Sequence, residues 1–329
     1  MRRAEAINLT AEEIAYLVQS AFPGAEIESW APCLLGGANS LFRFTLAGES
    51  ARYVIRICSR DPETCAKEVA VQKLVSARVP VADIVHAGTM PGVAGLPYAI
   101  STWVEGVTLA DALKSKRWSQ HALGAAIGRV VAAIGSHHFA GPGKLDANLH
   151  VTPWHIALAL PEDESALVVS VGSKYLNNFA GTHLDATQHE RIAAMLSDYA
   201  SAPPFASTQT AHLVHADFNP GNIIIAPAPD GAAAVAGVID WEWAHSGTPL
   251  LDIAILLRPR GLISADFESA FAAAFTDAGG MLPASWRRYA ATLDLLNLLE
   301  LIDAPAPLSE LGQLALGQLT SSIQSWSEA

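Results

Sequence analysis

The chain has 329 residues, 51% hydrophobic and 16% charged, which supplies a large core and excludes global disorder. Its net charge of −12 argues against binding nucleic acid or anionic membranes and suits a cationic small molecule. Cys33, Cys58 and Cys65 have no C-x-x-C spacing, so neither a zinc site nor a disulfide framework is indicated. No apolar run reaches the roughly 20 residues of a membrane helix, and no apolar signal core follows the N-terminus. We therefore expect a cytoplasmic protein.

The first hundred residues predict a small lobe of strands with few helices. A capping box, Thr10-Ala11-Glu12-Glu13, begins a helix that reaches about Phe22. Asp61-Pro62 supplies the N-cap and first residue of a second helix that reaches about Ala77. Segments rich in aromatic and β-branched residues predict five strands: Glu26–Pro32, Ser40–Leu46, Arg52–Cys58, Ile84–Ala87 and Tyr98–Trp103. We assign residues 1–103 to this lobe.

From Thr108 onward helices dominate, and we assign residues 104–329 to a second lobe. A capping box from Thr187 to Glu190 precedes one helix, and a hairpin around Pro229-Asp230-Gly231 interrupts the series. The predicted helices are Ala122–Phe139, Gln188–Ala200, Leu250–Leu257, Ala265–Ala278, Ser285–Ile302 and Leu308–Trp326. The hairpin strands are Ile223–Ala226 and Ala234–Ile239.

The strongest functional signal is His215-Ala216-Asp217, which follows an apolar run. Asn222 lies five positions after Asp217. A second apolar run delivers Asp240, 18 positions after Asn222. Phosphoryl transfer needs one carboxylate as base and oxygen ligands for Mg²⁺ on the nucleotide phosphates. Asp217 suits the base, and Asn222 and Asp240 suit the metal. The alternative is a turn in which these side chains only cap backbone groups. His215 is expected to orient the loop.

These motifs resemble those of the aminoglycoside phosphotransferase family, small-molecule relatives of the protein kinases, from about Leu34 to about Ala254. The resemblance implies an α+β, bilobal protein-kinase-like fold: a small antiparallel-sheet N-lobe with one main helix, and a larger, mostly helical C-lobe. It implies transfer of the γ-phosphoryl group of ATP or GTP, with Mg²⁺, to a hydroxyl of a small molecule. ATP against GTP, and monomer against dimer, stay open.

In this family a glycine-containing turn covers the nucleotide phosphates, and here it corresponds to Gly36, Gly37, Asn39 and Ser40. Two glycines allow close backbone approach to phosphate oxygens, and the polar side chains can donate hydrogen bonds. A plain hairpin turn is the alternative.

Arg56 lies on the third strand, where many kinases have lysine. Its guanidinium could contact phosphates and pair with Glu68 of the following helix. The alternative is a solvated arginine, with Glu68 paired locally to Gln72 or Lys67. The resemblance further places adenine contacts at the backbone of Thr102 and Val104, between the lobes.

The acceptor site is the least specified part. Glu242, in Ile239-Asp240-Trp241-Glu242, could face the substrate or form a structural salt bridge. Trp154 could stack on an acceptor ring or pack in the core. The acidic run Glu162–Glu164 would attract a cation, or would only begin a helix.

We therefore expect a small-molecule kinase, with an aminoglycoside or another antibiotic as acceptor and resistance as one role. Macrolides, sugars, choline-like alcohols and homoserine-like metabolites are further acceptors. Arg56 and Thr248, which replaces the usual aspartate before Pro249, motivate an alternative: a catalytically idle nucleotide- or metabolite-binding protein. A protein kinase is disfavoured, because Ala216 replaces the arginine of H-R-D and no A-P-E motif follows.

Overall fold

The N-terminal lobe is built on one antiparallel sheet. The computed structural model describes residues 7–33, 40–59, 61–90, 95–154, 164–201, 211–259 and 261–326. The sheet has the order β1-β2-β3-β5-β4. Its strands are β1 (Ile27–Cys33), β2 (Ser40–Leu46), β3 (Arg52–Ile57), β4 (Ile84–Thr89) and β5 (Pro97–Thr102). Alternate residues of β2 and β3, such as Phe42 and Ile55, are buried, as expected when one face covers the core.

Two helices flank this sheet, and both begin at the predicted caps. Helix α1 (Ala11–Ala21) has the full capping box: Thr10 accepts from the Glu13 amide, and the Glu13 carboxylate accepts from the Thr10 amide at 2.7 Å. Helix α2 (Pro62–Val75) begins after Asp61, whose side chain accepts from the Glu63 amide. The cap residues therefore fix where each helix begins.

The C-terminal part is mostly helical, with two small sheets. Its helices are α3 (Leu109–Ser115), α4 (Gln120–Gly135), α5 (Glu164–Leu176), α6 (Phe179–Thr182), α7 (Ala186–Ser201), α8 (Leu250–Leu257), α9 (Ala265–Asp277), α10 (Trp286–Ile302) and α11 (Glu310–Trp326). One sheet joins β11 (Ala233–Val238), β10 (Ile223–Pro227) and β6 (Val107–Thr108). The other joins β8 (Val151–Pro153), β7 (Gly143–Leu145), β12 (His245–Gly247) and β9 (His212–Val214). No helix within the described ranges is long and apolar enough to cross a membrane.

Two sequence expectations need correction at helix ends. Helix α7 begins before the predicted Thr187 cap: Asp185 and Gln188 exchange hydrogen bonds of 2.8 and 2.9 Å, so they form the capping pair. Helix α4 ends at Gly135 and does not reach Phe139, whose amide instead donates to the Ala211 carbonyl at 2.8 Å.

The bilobal α+β fold is confirmed. The predicted division between residues 103 and 104 stays a prediction; it falls between β5 of the first sheet and β6, which pairs with β10. One hydrophobic cluster fills the N-terminal lobe, from Leu9 to Ile100. The larger cluster contains the C-terminal helices together with Val71, Val75 and Val79 from α2 and the turn after it. Helix α2 of the N-terminal lobe therefore packs into the core of the C-terminal part.

Candidate active site

Two strands, each with a buried C-terminal end, lead into the loops that carry the predicted catalytic residues. Strand β9 leads into His215-Ala216-Asp217, and β11 leads into Ile239-Asp240. The Ile239 amide donates to the Asn222 carbonyl at 3.0 Å, and His215 Nε2 lies 3.0 Å from the Ile239 carbonyl. The loops are therefore joined by their own backbone. Ala216 and Asp240 have φ values of 64° and 68°, a left-handed conformation that costs a non-glycine residue free energy.

A buried aspartate holds the first loop. The Asp252 carboxylate accepts from the amides of His215 and Ala216, each at 2.8 Å. Burial raises the pKa of Asp252 to about 7, and the two amide hydrogen bonds oppose that rise. Burial lowers the pKa of His215 to about 4, so its imidazole is neutral at pH 7. Both residues support the loop geometry.

The Asp217 carboxylate is held by two amide side chains. Asn219 Nδ2 donates to Asp217 Oδ1 and Asn222 Nδ2 donates to Asp217 Oδ2, both at 2.9 Å. Burial raises the pKa of Asp217, and the negative charge of Asp240 adds to the rise, whereas the two amides oppose it. Asn219 was not singled out in the sequence. It also forms a turn with Gly221, so the capping geometry of the alternative interpretation coexists with the carboxylate contacts.

Arg56 contacts three carboxylates. Its guanidinium lies 2.5 Å from Glu68 Oε1, 3.1 Å from Asp240 Oδ1 and 3.3 Å from Glu242 Oε2. Burial alone would lower the pKa of Arg56, but these carboxylates raise it above its ordinary value. Arg56 is thus not a solvated strand residue. Glu68 also receives a long 3.5 Å contact from Gln72, the local partner considered from sequence.

The two predicted metal ligands offer hard oxygen donors. Asn222 Nδ2 is engaged with the carboxylate and the carbonyl of Asp217, both at 2.9 Å, which leaves Asn222 Oδ1 for a cation. The Asp240 side chain is 38% exposed, so a ligand can reach it. Mg²⁺ takes only one or two protein carboxylates besides phosphate and water, so this donor set fits Mg²⁺. No cluster of three His, Cys, Asp or Glu suited to a metal occurs within the described part of the chain.

Of the predicted nucleotide-binding residues other than Arg56 and Glu68, the structure describes Ser40, Thr102 and Val104. Thr102 is fixed by Asp83, whose amide donates to Thr102 Oγ1 at 2.9 Å. The Val104 amide has no hydrogen-bond partner among the described residues. Gly36, Gly37 and Asn39 lie outside the described residues. Ser40 begins β2, and its hydroxyl accepts from the Ile7 amide at 2.8 Å.

A lysine lies near Trp154, one of the two residues that the sequence suggests for the acceptor site. The Lys144 ammonium lies 5.8 Å from the Trp154 ring centroid, and the His245 ring packs edge-on at 5.4 Å. Glu242 is buried and paired with Arg56, in accord with the salt-bridge interpretation. Glu162 and Asp163 lie outside the described residues, as does the side chain of Glu164.

One further contact was missed from sequence. The sequence suggests Lys67 only as a local partner of Glu68, but its ammonium donates to the Glu242 carbonyl at 2.6 Å. The two residues are 175 positions apart, and only the fold brings them together.

Comparisons with known proteins identify a family and a fold for this chain. A sequence model of the phosphotransferase enzyme family (APH) matches residues 30–292. The GDP complex of aminoglycoside 2'-phosphotransferase-IIIa has a TM-score of 0.70 and 16% identity, over 96% of this chain and 99% of that one. A thermostable mutant of aminoglycoside phosphotransferase APH(4)-Ia with AMP-PNP and hygromycin B has a TM-score of 0.66 and 20% identity, over 96% of this chain and 99% of that one. The GDP and kanamycin complex of APH(2")-IIia has a TM-score of 0.65 and 16% identity, over 96% of this chain and 97% of that one.

These structural matches establish the fold, and the family match establishes the class. No curated protein sequence matches significantly. The chain therefore belongs to the phosphotransferase enzyme family and is an enzyme of the small-molecule kinase class, with that family's kinase-like fold.

Proposed function

We propose that the protein transfers the γ-phosphoryl group of ATP or GTP to a hydroxyl of a small molecule, with Asp217 as the base. The observation that carries this proposal is the joining of the Asp217–Asn222 loop to Asp240 by the bond from the Ile239 amide to the Asn222 carbonyl. That bond supports the proposal because it joins the loop that carries Asp217 and Asn222 to the segment that carries Asp240.

Asp217 accepts the proton of the acceptor hydroxyl while the oxygen of that hydroxyl attacks the γ-phosphorus. The bond from the γ-phosphorus to the β–γ bridging oxygen breaks, and the nucleoside diphosphate leaves. Asn219 and Asn222 hold the two carboxylate oxygens through the bonds of 2.9 Å. A raised pKa makes the ionised Asp217 carboxylate a better proton acceptor.

Asn222 and Asp240 would hold Mg²⁺, which supplies charge neutralisation on the phosphates. Arg56 lies next to Asp240, and we assign it to the phosphates together with Gly36, Gly37, Asn39 and Ser40. Glu68 keeps the Arg56 side chain in place through its ion pair of 2.5 Å.

We assign adenine recognition to the backbone between the lobes, at Thr102 and Val104. The Val104 amide makes no hydrogen bond with other described residues, so it is available to donate to a base edge. The Thr102 hydroxyl already accepts from the Asp83 amide, so we assign the adenine contact of Thr102 to its main chain.

For the acceptor, aminoglycosides are the first candidate, because related structures contain hygromycin B and kanamycin. In that case Glu242 and Trp154 would contribute to the acceptor site and the enzyme would act in antibiotic resistance. The Lys144 ammonium beside Trp154 favours a second candidate, a neutral hydroxyl metabolite such as a sugar. Either reaction belongs in the cytoplasm, where the nucleotide is available.

The test is transfer of label from [γ-³²P]ATP and [γ-³²P]GTP to a panel of acceptors, with Mg²⁺ and with a chelator. The panel contains hygromycin B, kanamycin, a macrolide, neutral sugars, choline and homoserine. Mg²⁺-dependent labelling of one class is expected. Nucleotide binding without labelling of any acceptor would favour the catalytically idle alternative.

A further inference from the structure

Helix α2 contacts the backbone on both sides of Glu242. Two consecutive residues of the helix make these contacts. Glu68 Oε1 accepts from the Trp241 amide at 3.2 Å. Lys67 Nζ donates to the carbonyls of Glu242, at 2.6 Å, and Ala244, at 3.3 Å. An element of the N-terminal lobe thus holds residues 240–244, which follow β11 in the C-terminal lobe.

The partners of Lys67 are carbonyls at the end of a short helical turn. Residues Trp241–Trp243 form one 3-10 turn, and the last carbonyls of such a turn have no partner within it. A lysine ammonium can satisfy several of them at once because it has three donors. Burial lowers the pKa of Lys67, and the nearby Glu68 opposes that change. A half-buried ammonium needs acceptors of this kind.

The contacts of Lys67 and Glu68 bear on the conformation of Asp240, which lies next to the residues they hold. Asp240 precedes the turn directly and has the left-handed values φ 68° and ψ 62°. A non-glycine residue keeps such a conformation only when its surroundings determine it. On its N-terminal side the Ile239 amide is bound to Asn222, and on its C-terminal side the backbone is held by Glu68 and Lys67.

We propose that Lys67 is a positioning residue, which fixes residues 240–244 so that Asp240 is oriented for the Mg²⁺-nucleotide. The inference rests on the proposed function, because Asp240 matters here as a metal ligand. Lys67 acts through the backbone of Glu242 and Ala244, whose carbonyls accept its hydrogen bonds. It also connects nucleotide contacts of the N-terminal lobe to the metal-binding loop.

The experiment compares Lys67→Met, Lys67→Arg and a control, Lys73→Met. Lys73 lies on the same helix, is exposed, and has no described side-chain partner. Nucleotide affinity is measured by calorimetry at a series of Mg²⁺ concentrations, with kcat and KM in parallel. Lys67→Met should raise the Mg²⁺ concentration for half-maximal nucleotide binding about tenfold, the scale of one charged hydrogen bond. Lys67→Arg should have a Mg²⁺ requirement close to that of the wild type, and Lys73→Met should have the same requirement as the wild type.

A second readout needs neither metal nor nucleotide. Hydrogen exchange of the Trp241 amide reports whether the turn is held, because that amide is bound to Glu68. Faster exchange in Lys67→Met than in Lys73→Met is expected. If Lys67→Met does not fold, Lys67→Gln takes its place, because the amide can still donate to one carbonyl.

The outcomes separate this inference from the proposed function. Wild type without Mg²⁺-dependent nucleotide binding would defeat the proposed function. Wild type with such binding, together with a folded Lys67→Met of unchanged Mg²⁺ requirement and unchanged exchange, would overturn the role of Lys67 alone. A loss of thermal stability without any shift in the Mg²⁺ requirement would also overturn it, since that result describes a purely structural tether.

Discussion

The Asp217 carboxylate is subject to opposing influences from named neighbours. Burial and the charge of Asp240 raise its pKa, while hydrogen bonds from Asn219 and Asn222 lower it. The base must be ionised to accept a proton. Activity should therefore fall as the pH is lowered through the raised pKa, at a pH above the ordinary value of 3.8.

Asn219→Ala tests which neighbours set this pKa. Removing the donor to Asp217 Oδ1 destabilises the ionised carboxylate, so the acidic limb of kcat should move to higher pH. The measurement is a pH–rate profile beside Asn148→Ala, a change at an exposed asparagine far from Asp217 in sequence. An unchanged or lowered limb in Asn219→Ala would contradict the role of this hydrogen bond.

Asp252 supports the catalytic loop through two buried amides. Asp252→Ala leaves the His215 and Ala216 amides without their acceptor, at a cost of about 2–5 kcal/mol in the free energy of unfolding. Urea denaturation measures the change. The control is Asp277→Ala at the exposed end of α9, where we expect almost no loss. Equal stability of the two variants would contradict the assignment.

The sequence indicated most residues near Asp217, because the H-x-D and Ile-Asp-Trp-Glu motifs carry them within short segments. The ion pair of Arg56 with Glu68 also followed from position on β3 and α2. Asn219 was missed because Asn-Pro-Gly is equally typical of a turn. The contacts of Lys67 depend on how α2 lies against the turn Trp241–Trp243, which no local pattern specifies.

At the level of elements, α4 and α9 are brought together by two glycines four residues apart. A Cβ at Gly124 would overlap the Phe267 carbonyl oxygen, and one at Gly128 would overlap that of Phe271. Neither atom can move without shifting the helix backbone. The glycines therefore allow an approach that any side chain would prevent.

Gly128→Ala should lower the free energy of unfolding by about 1–3 kcal/mol, because overpacking outweighs the better helix propensity of alanine. Gly317→Ala, in α11, is the matched control: no atom lies within 4 Å of its added Cβ. There we expect a gain of about 0.5–1 kcal/mol. Thermal denaturation of both variants measures the difference, and a stabilised Gly128→Ala would show that the helices can separate without cost.

Elements with local signals were predicted well. The Thr10 and Asp61 caps began α1 and α2, and β2 occupies Ser40–Leu46 as expected. The three-residue strands β7, β8, β9 and β12 were missed, since three residues cannot show a period of two. For α7, two overlapping cap patterns compete, and Asp185 with Gln188 forms the bonds that Thr187 and Glu190 were expected to make.

For the whole molecule, the shared core predicts cooperative unfolding. Val71, Val75 and Val79 come from the N-terminal lobe but pack in the large C-terminal cluster. Separating the lobes would expose them, so we expect one calorimetric transition. Val75→Ala should lower the temperature of that single transition. Two resolved transitions in the wild type, one fitting residues 1–103, would contradict this expectation.

In the proposed mechanism Asp217 accepts the proton, while other residues bind the nucleotide. The most direct measurement determines Mg²⁺-nucleotide affinity and phosphoryl-transfer turnover in the same preparation of Asp217→Ala, once an acceptor is known. We predict nearly unchanged nucleotide affinity and a loss of about 10²–10⁴ in kcat. Full nucleotide-dependent turnover in the folded Asp217→Ala protein would contradict the assignment of Asp217 as the base.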